Sequence, residues 1–199
     1  RFQTRKQVGL LGGNFNPVHL AHLVMADQVQ NQLGLDKVYL MPTYLPPHVD
    51  EKKTISSEHR LAMLELAVAD NPCLDIEPIE LIRKGKSYTY DTMKALKEVN
   101  PDTDYYFIIG GDMVEYLPKW HRIDDLLHLV QFVGIRRPNY PTESTYPIIW
   151  VDVPQMAISS TLIRQKVKSG CSTRYLLPEN VINYIQEKGL YQDELDNKL

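Results

Sequence analysis

The sequence predicts an α/β fold: a Rossmann-like, doubly wound, mostly parallel sheet with helices on both faces, in a single domain. Three observations carry this. Short apolar runs alternate with segments of helical periodicity, the pattern of strands joined by crossover helices. Two of those runs, over 8–11 and 105–109, end in paired glycines: Gly12 with Gly13, and Gly110 with Gly111. No internal repeat or compositional break divides the chain.

Taken in order, residues 6–11 read as a short buried strand. Residues 19–33 read as a helix, with Leu20, Leu23, Val24 and Val29 at spacings near 3.6 and Gly34 as its stop. Residues 37–41 form a second strand ended by Pro42, and 43–54 a loop with Pro46, Pro47 and His48. A second helix starts at Ser56 or Ser57, turns Leu61, Leu64 and Val68 inward, and stops by Pro72. Residues 74–81 are expected to be extended, 84–87 a turn, and 90–99 a third helix. The run Y-Y-F-I-I over 105–109 is the clearest strand. Short helical pieces around Pro118 follow, then strands over 130–135 and 148–151, separated by a polar loop. Helices are expected over 159–167 and 178–188, the last stopped by Gly189. The domain is expected to span 6–191. Residues 1–5 would be an extension or a cloning remnant, and 192–199 a loose charged tail.

The 199 residues suffice for one real core. A net charge of -3 argues against a nucleic-acid partner. No apolar run of about 18 residues exists, so no membrane span is expected, and no basic-then-apolar leader opens the chain. Cys73 and Cys171 lack metal-ligand spacing and read as free thiols, which suits a cytoplasmic setting. No resident metal site is expected.

In a doubly wound sheet, ligands sit at the carboxyl ends of strands, near the reversal of strand order. Both glycine pairs fall at such ends. After the first comes G-G-N-F-N-P-V-H-L-A-H over 12–22, which is neither G-x-G-x-x-G nor a P-loop. Read physically, it is a strand end, a glycine turn, and a helix whose first turn carries His19 and His22. Free N–H groups and the positive dipole end favour a phosphate there. The second constellation is I-S-S-T-L-I-R over 158–164. Ser159, Ser160 and Thr161 open a helix and could hold an anion, with Arg164 one turn on to clamp a phosphate. A well-capped helix with a surface arginine is the plainer alternative.

Together the two constellations resemble the nucleotidyltransferase superfamily with the HxGH motif, over almost the whole chain. Within it, P-P-H at 46–48, S-Y-T-Y-D-T at 87–92, and G-G-D at 110–112 running on to L-P-K-W at 117–120 are similar to the nicotinate-nucleotide adenylyltransferases. The resemblance implies that the 5′-phosphate of nicotinate mononucleotide attacks the α-phosphorus of ATP. Pyrophosphate leaves and deamido-NAD forms, with Mg²⁺ carried on the substrate phosphates. It implies His19, His22 and Arg164 as catalytic. Gly12, Gly13, Asn14, Phe15, Asp112, Ile158, Ser159, Ser160 and Thr161 would complete the ATP site. A homodimer is a family expectation.

The mononucleotide side follows from its chemistry. A cationic pyridine ring suits the face of Trp120. A nicotinate carboxylate suits the donors around Thr89, where a helix should begin. Tyr88 and Lys119 could complete that pocket, and His48, Lys52 and Lys53 could meet the mononucleotide phosphate. Three positions depart from the family pattern. Ala21 replaces a glycine between the histidines, Asn16 an aspartate, and Val49 a lysine, whose duty is expected to pass to Lys52 or Lys53, or elsewhere. A non-catalytic nucleotide-binding regulator is the competing reading. A dehydrogenase is disfavoured by the glycine spacing.

Overall fold

A computed structural model describes residues 5–44 and 55–192. Among these, six strands make one sheet, paired in parallel throughout: β1 (Lys6–Gly13), β2 (Lys37–Pro42), β3 (Leu74–Ile76), β4 (Thr103–Gly110), β5 (Val130–Ile135) and β6 (Ile148–Val151). Their order is β3-β2-β1-β4-β5-β6. The order reverses between β1 and β4, whose carboxyl ends carry the two glycine pairs.

The strands are apolar on both faces because each face is covered. Val8, Leu10, Phe107, Ile109 and Phe132 face one core, with Met93 and Leu96 of α4 (Thr89–Val99). Leu11, Val38, Leu40, Ile108, Val133 and Ile135 face the other. That second core takes in α1 (Leu20–Leu33), α2 (Ser57–Val68), α6 (Ser160–Lys168) and α7 (Glu179–Lys188). Among the described residues, no helix is long and apolar enough to cross a membrane.

Two expectations are corrected. Gly12 and Gly13 are not a turn: they remain in β1, in register with Met41 and Pro42. The turn comes later, at Phe15, whose φ is 47°, and at the cis Asn16-Pro17 peptide bond. The glycines stay extended because β2 still offers a partner on one side. Residues 74–81 are not extended throughout. The strand stops at Ile76, and α3 (Ile79–Arg83) follows. Edge strand β3 pairs with β2 alone. Beyond it, the Glu77 carboxylate accepts the Ile79 N–H (3.2 Å), and the Thr92 hydroxyl donates to the buried Glu80 carboxylate (3.0 Å). Side-chain bonds thus favour a helical turn over further pairing. A short α5 (Ile123–Leu126) follows the 3-10 helix Gly111–Lys119. The backbone at Gly111 is crowded, since a β-carbon there would lie 2.7 Å from the Ile135 carbonyl.

Candidate active site

Residues 14–19 wrap the carboxyl end of β1 and deliver His19 as the N-cap of α1, in extended backbone. His22, three residues on, stands over it because positions three apart share a helix face. The two imidazoles stack with centroids 3.7 Å apart, and the Phe15 and His22 rings meet edge to face with centroids 4.8 Å apart. Nδ1 of His22 accepts the His19 backbone N–H (3.2 Å). That bond assigns the remaining proton of neutral His22 to Nε2, leaving Nε2–H as a donor. His19 is only 4 % exposed, and its Nδ1 has no hydrogen-bond partner among the described residues.

Burial lowers the pKa of His19 to about 4. Burial and then the neighbouring His19 lower that of His22 to about 3. Both rings are therefore neutral donors near pH 7. In the unfolded chain they titrate near 6.5. As pH falls below about 6.5, the unfolded chain takes up protons that the native pair refuses, so stability contributed by the neutral rings is lost towards pH 4 to 3. We expect the melting temperature to fall less between pH 7 and 5 in a His22→Asn variant than in the parent. Equal falls in thermal scans would reject this linkage.

The second constellation meets the first. Ser159 caps α6, its hydroxyl accepting the Leu162 N–H (3.1 Å). The Ser160 hydroxyl donates to the Pro17 carbonyl (2.8 Å). Arg164 sends Nη1 to the Asn16 carbonyl (2.8 Å) and Nη2 to the Thr161 hydroxyl (3.3 Å). Of these side chains, Ser160 and Arg164 bond to the loop that presents the histidines, while Ser159 and Thr161 bond within α6. Nor are the donors at the start of α1 all free, because the Leu20 N–H is taken by the Leu176 carbonyl (3.0 Å). Gly12 and Asn14 are exposed at the strand end, and Ile158 packs against the second core.

Asp112 opens the 3-10 helix after β4, half-exposed, with Arg137 Nε 3.7 Å away. Trp120 ends that helix. It is half-buried and meets Phe107 (5.9 Å) and Phe132 (5.8 Å) edge to face. Its backbone N–H is committed to the Leu117 carbonyl (3.0 Å). Thr89 begins α4, with Tyr88 as the N-cap. A crossover helix starts at the carboxyl rim of the sheet, so Thr89 shares a rim with the histidines. The Tyr88 ring stacks on His121 (4.2 Å) and lies beneath Lys86 Nζ (4.8 Å). Lys119 Nζ lies over Tyr116 (5.8 Å). His48, Lys52 and Lys53 lie outside the described residues, as do Pro46, Pro47 and Val49. No group of three or more His, Cys, Asp or Glu side chains among the described residues could hold a metal ion.

In sequence and in fold the chain matches known proteins. Over 187 residues the chain is 64 % identical to a Streptococcus pneumoniae protein named "Probable nicotinate-nucleotide adenylyltransferase", covering 94 % of this chain and 90 % of the relative. A Streptococcus mutans protein of the same name is 63 % identical over 190 residues, covering 96 % and 90 %. The chain belongs to the nicotinate-nucleotide adenylyltransferase family. Residues 10–166 also match the cytidylyltransferase-like family model. The fold is that of Plasmodium falciparum nicotinic acid mononucleotide adenylyltransferase, solved with APC (TM-score 0.76, 18 % identity, 94 % of this chain and 97 % of that one). The same enzyme solved with NaAD gives a TM-score of 0.75 at 19 % identity, with the same coverage.

Sequence reasoning missed three side chains of this family member. Arg60 is 0 % exposed; its Nη1 donates to the Asn14 carbonyl (2.7 Å) and Nη2 to the Ser57 hydroxyl (3.3 Å). Its place on the buried stripe with Met63, Leu64 and Ala67 was the available signal. Tyr191, 6 % exposed, donates its hydroxyl to Asn16 Oδ1 (2.6 Å). Arg137 reaches Gln155 (3.1 Å) and stands beside Asp112.

Proposed function

We propose that this chain transfers the adenylyl group of ATP to nicotinate mononucleotide, in the cytoplasm, by in-line attack without a covalent enzyme intermediate. The observation that carries the reading is the stacked, neutral His19–His22 pair at the reversal of strand order. A phosphate oxygen of the mononucleotide is already anionic and needs no general base. It forms a bond to the α-phosphorus while the bond to the bridging oxygen breaks, and pyrophosphate carries away the electron pair. The growing charge lies on the bridging oxygen and the β-phosphate. Neutral N–H donors held rigidly there stabilise it without reorganisation, and the Nε2–H of His22 is such a donor. Mg²⁺ enters on the ATP phosphates as part of the substrate.

In this reading the open strand end at Gly12, Gly13 and Asn14 lets the nucleotide approach the backbone, with Phe15 packed behind. Ile158, Ser159, Ser160, Thr161 and Arg164 form the facing wall, and Asp112 receives the ribose hydroxyls. Trp120, Tyr88, Thr89 and Lys119 take the nicotinate ring and carboxylate; His48, Lys52 and Lys53 take the mononucleotide phosphate. The test is pyrophosphate release from ATP and Mg²⁺ against an acceptor panel. Nicotinate mononucleotide should be turned over faster than nicotinamide mononucleotide or 4′-phosphopantetheine. Faster turnover of either alternative would sink the substrate assignment. Nucleotide binding with no pyrophosphate release would sink the reading as an enzyme.

A further inference from the structure

The loop over 14–17 is fastened by four bonds from three distant places. Arg60 on α2 donates to the Asn14 carbonyl (2.7 Å), and Arg164 on α6 to the Asn16 carbonyl (2.8 Å). Ser160 donates to the Pro17 carbonyl (2.8 Å), and Tyr191, beyond α7, to Asn16 Oδ1 (2.6 Å). Each reaches across 46 to 175 residues of sequence. The fastened loop holds Phe15 at φ 47°, a left-handed conformation costly for a bulky side chain. Tyr191, at the far end of its bond to Asn16, is left-handed too, at φ 63°. Such residues persist only where their surroundings over-determine them, and they collect at functional sites. The held conformation sets the Phe15 ring against His22, which in turn accepts the His19 amide.

Neither Arg60 nor Tyr191 has the setting of a substrate ligand. Arg60 is wholly enclosed, with Nε lacking a hydrogen-bond partner among the described residues. A guanidinium and a phenol are expensive to bury, and a purely apolar side chain would fill either space more cheaply. Burial raises the Tyr191 pKa well above that of an ordinary phenol, against the nearby charges of Arg164 and Arg60, so the hydroxyl remains a donor.

We propose that Arg60 and Tyr191 are positioning residues of the adenylyl-transfer site: they clamp residues 14–16 in the strained turn that sets Phe15 against His22. This rests on the reading of His19 and His22 given above. Arg60 supplies the clamp from the α2 side and Tyr191 from the carboxyl-terminal end of the domain. Tyr191, just beyond α7, is thus part of the site's geometry.

Tyr191→Phe removes one oxygen and is the cleanest test, made on the full chain with Arg60→Lys and His22→Ala alongside. A clamp predicts that Tyr191→Phe lowers kcat about tenfold, since small misplacements cost rate steeply, while both KM values hold within about twofold. It also predicts that in an Asn16→Ala background the Tyr191→Phe change has no further effect, because the two groups act through one bond. Arg60→Lys, which keeps the charge and loses the fork, should lower kcat in the same way. Parental kcat in Tyr191→Phe, a loss of kcat that is additive with Asn16→Ala, or a loss that follows the melting temperature would each overturn the clamp. His22→Ala separates the two levels. If His22→Ala is inactive and Tyr191→Phe is not impaired, only the clamp fails; if His22→Ala keeps its rate, the reading beneath it fails.

Discussion

His22→Ala lowers kcat for pyrophosphate release by about a hundredfold or more, the usual cost of deleting one preorganised donor to developing charge. Two features set that magnitude. The donor is fixed before substrate arrives, because Nδ1 is occupied by the His19 amide and the ring is stacked on one side and edged by Phe15 on another. It is also neutral in the free protein, since burial lowers its pKa to about 3. The gain therefore comes from a hydrogen bond more than from a resident positive charge. A His22→Gln variant, which keeps an N–H donor of similar reach, should recover part of the loss where alanine recovers none. Steady-state kinetics on the purified variants decide the point, and an unchanged kcat in His22→Ala would remove the imidazole from the mechanism.

Phe15→Ala should be the most destabilising change in the site, by about 3–5 kcal/mol. For a domain of this size that lowers the melting temperature by roughly 10 °C. Phe15 is 1 % exposed and belongs to the core shared by α1, α2 and α7. Its ring also lies 3.3 Å from the position a Gly13 β-carbon would occupy, so strand end and turn are packed on each other. Alanine empties that space without relieving the backbone, because φ stays at 47°. His22 loses the ring beside it, so activity should fall further than unfolding accounts for. Phe15→Leu should keep most of the stability and still lose rate. A melting temperature within about 2 °C of the parent for Phe15→Ala would show that the ring is not a core element.

These two residues mark how far local pattern reaches. His19 and His22 were legible because a helix puts positions three apart on one face, and their place after an apolar run and two glycines pointed to a strand end. The alternation of apolar runs with helical periods gave the architecture, since that pattern follows from strands covered on both faces. The role of Phe15 was not legible. Glycines invite a turn wherever they stand, yet β2 keeps Gly12 and Gly13 in register, and the reversal moves to a phenylalanine that sequence rules would never place there. Likewise I-S-S-T-L-I-R reads as a helix start suited to anions, and its bonds to Asn16 and Pro17 appear only once α6 is packed on the loop.

By itself, then, the sequence determined most of the elements, their parallel pairing and the placing of His19 and His22 on one helix face after a strand end. Each of these depends on interactions within a few residues or on a repeating apolar pattern. The tertiary structure alone decided the form of the turn, the neutrality and tautomer of His22, and the clamp by Arg60, Arg164, Ser160 and Tyr191. Those depend on burial and on hydrogen bonds spanning up to 175 residues. Such contacts leave no periodic trace in the chain, because their partners meet only when separate helices close over the same strand end.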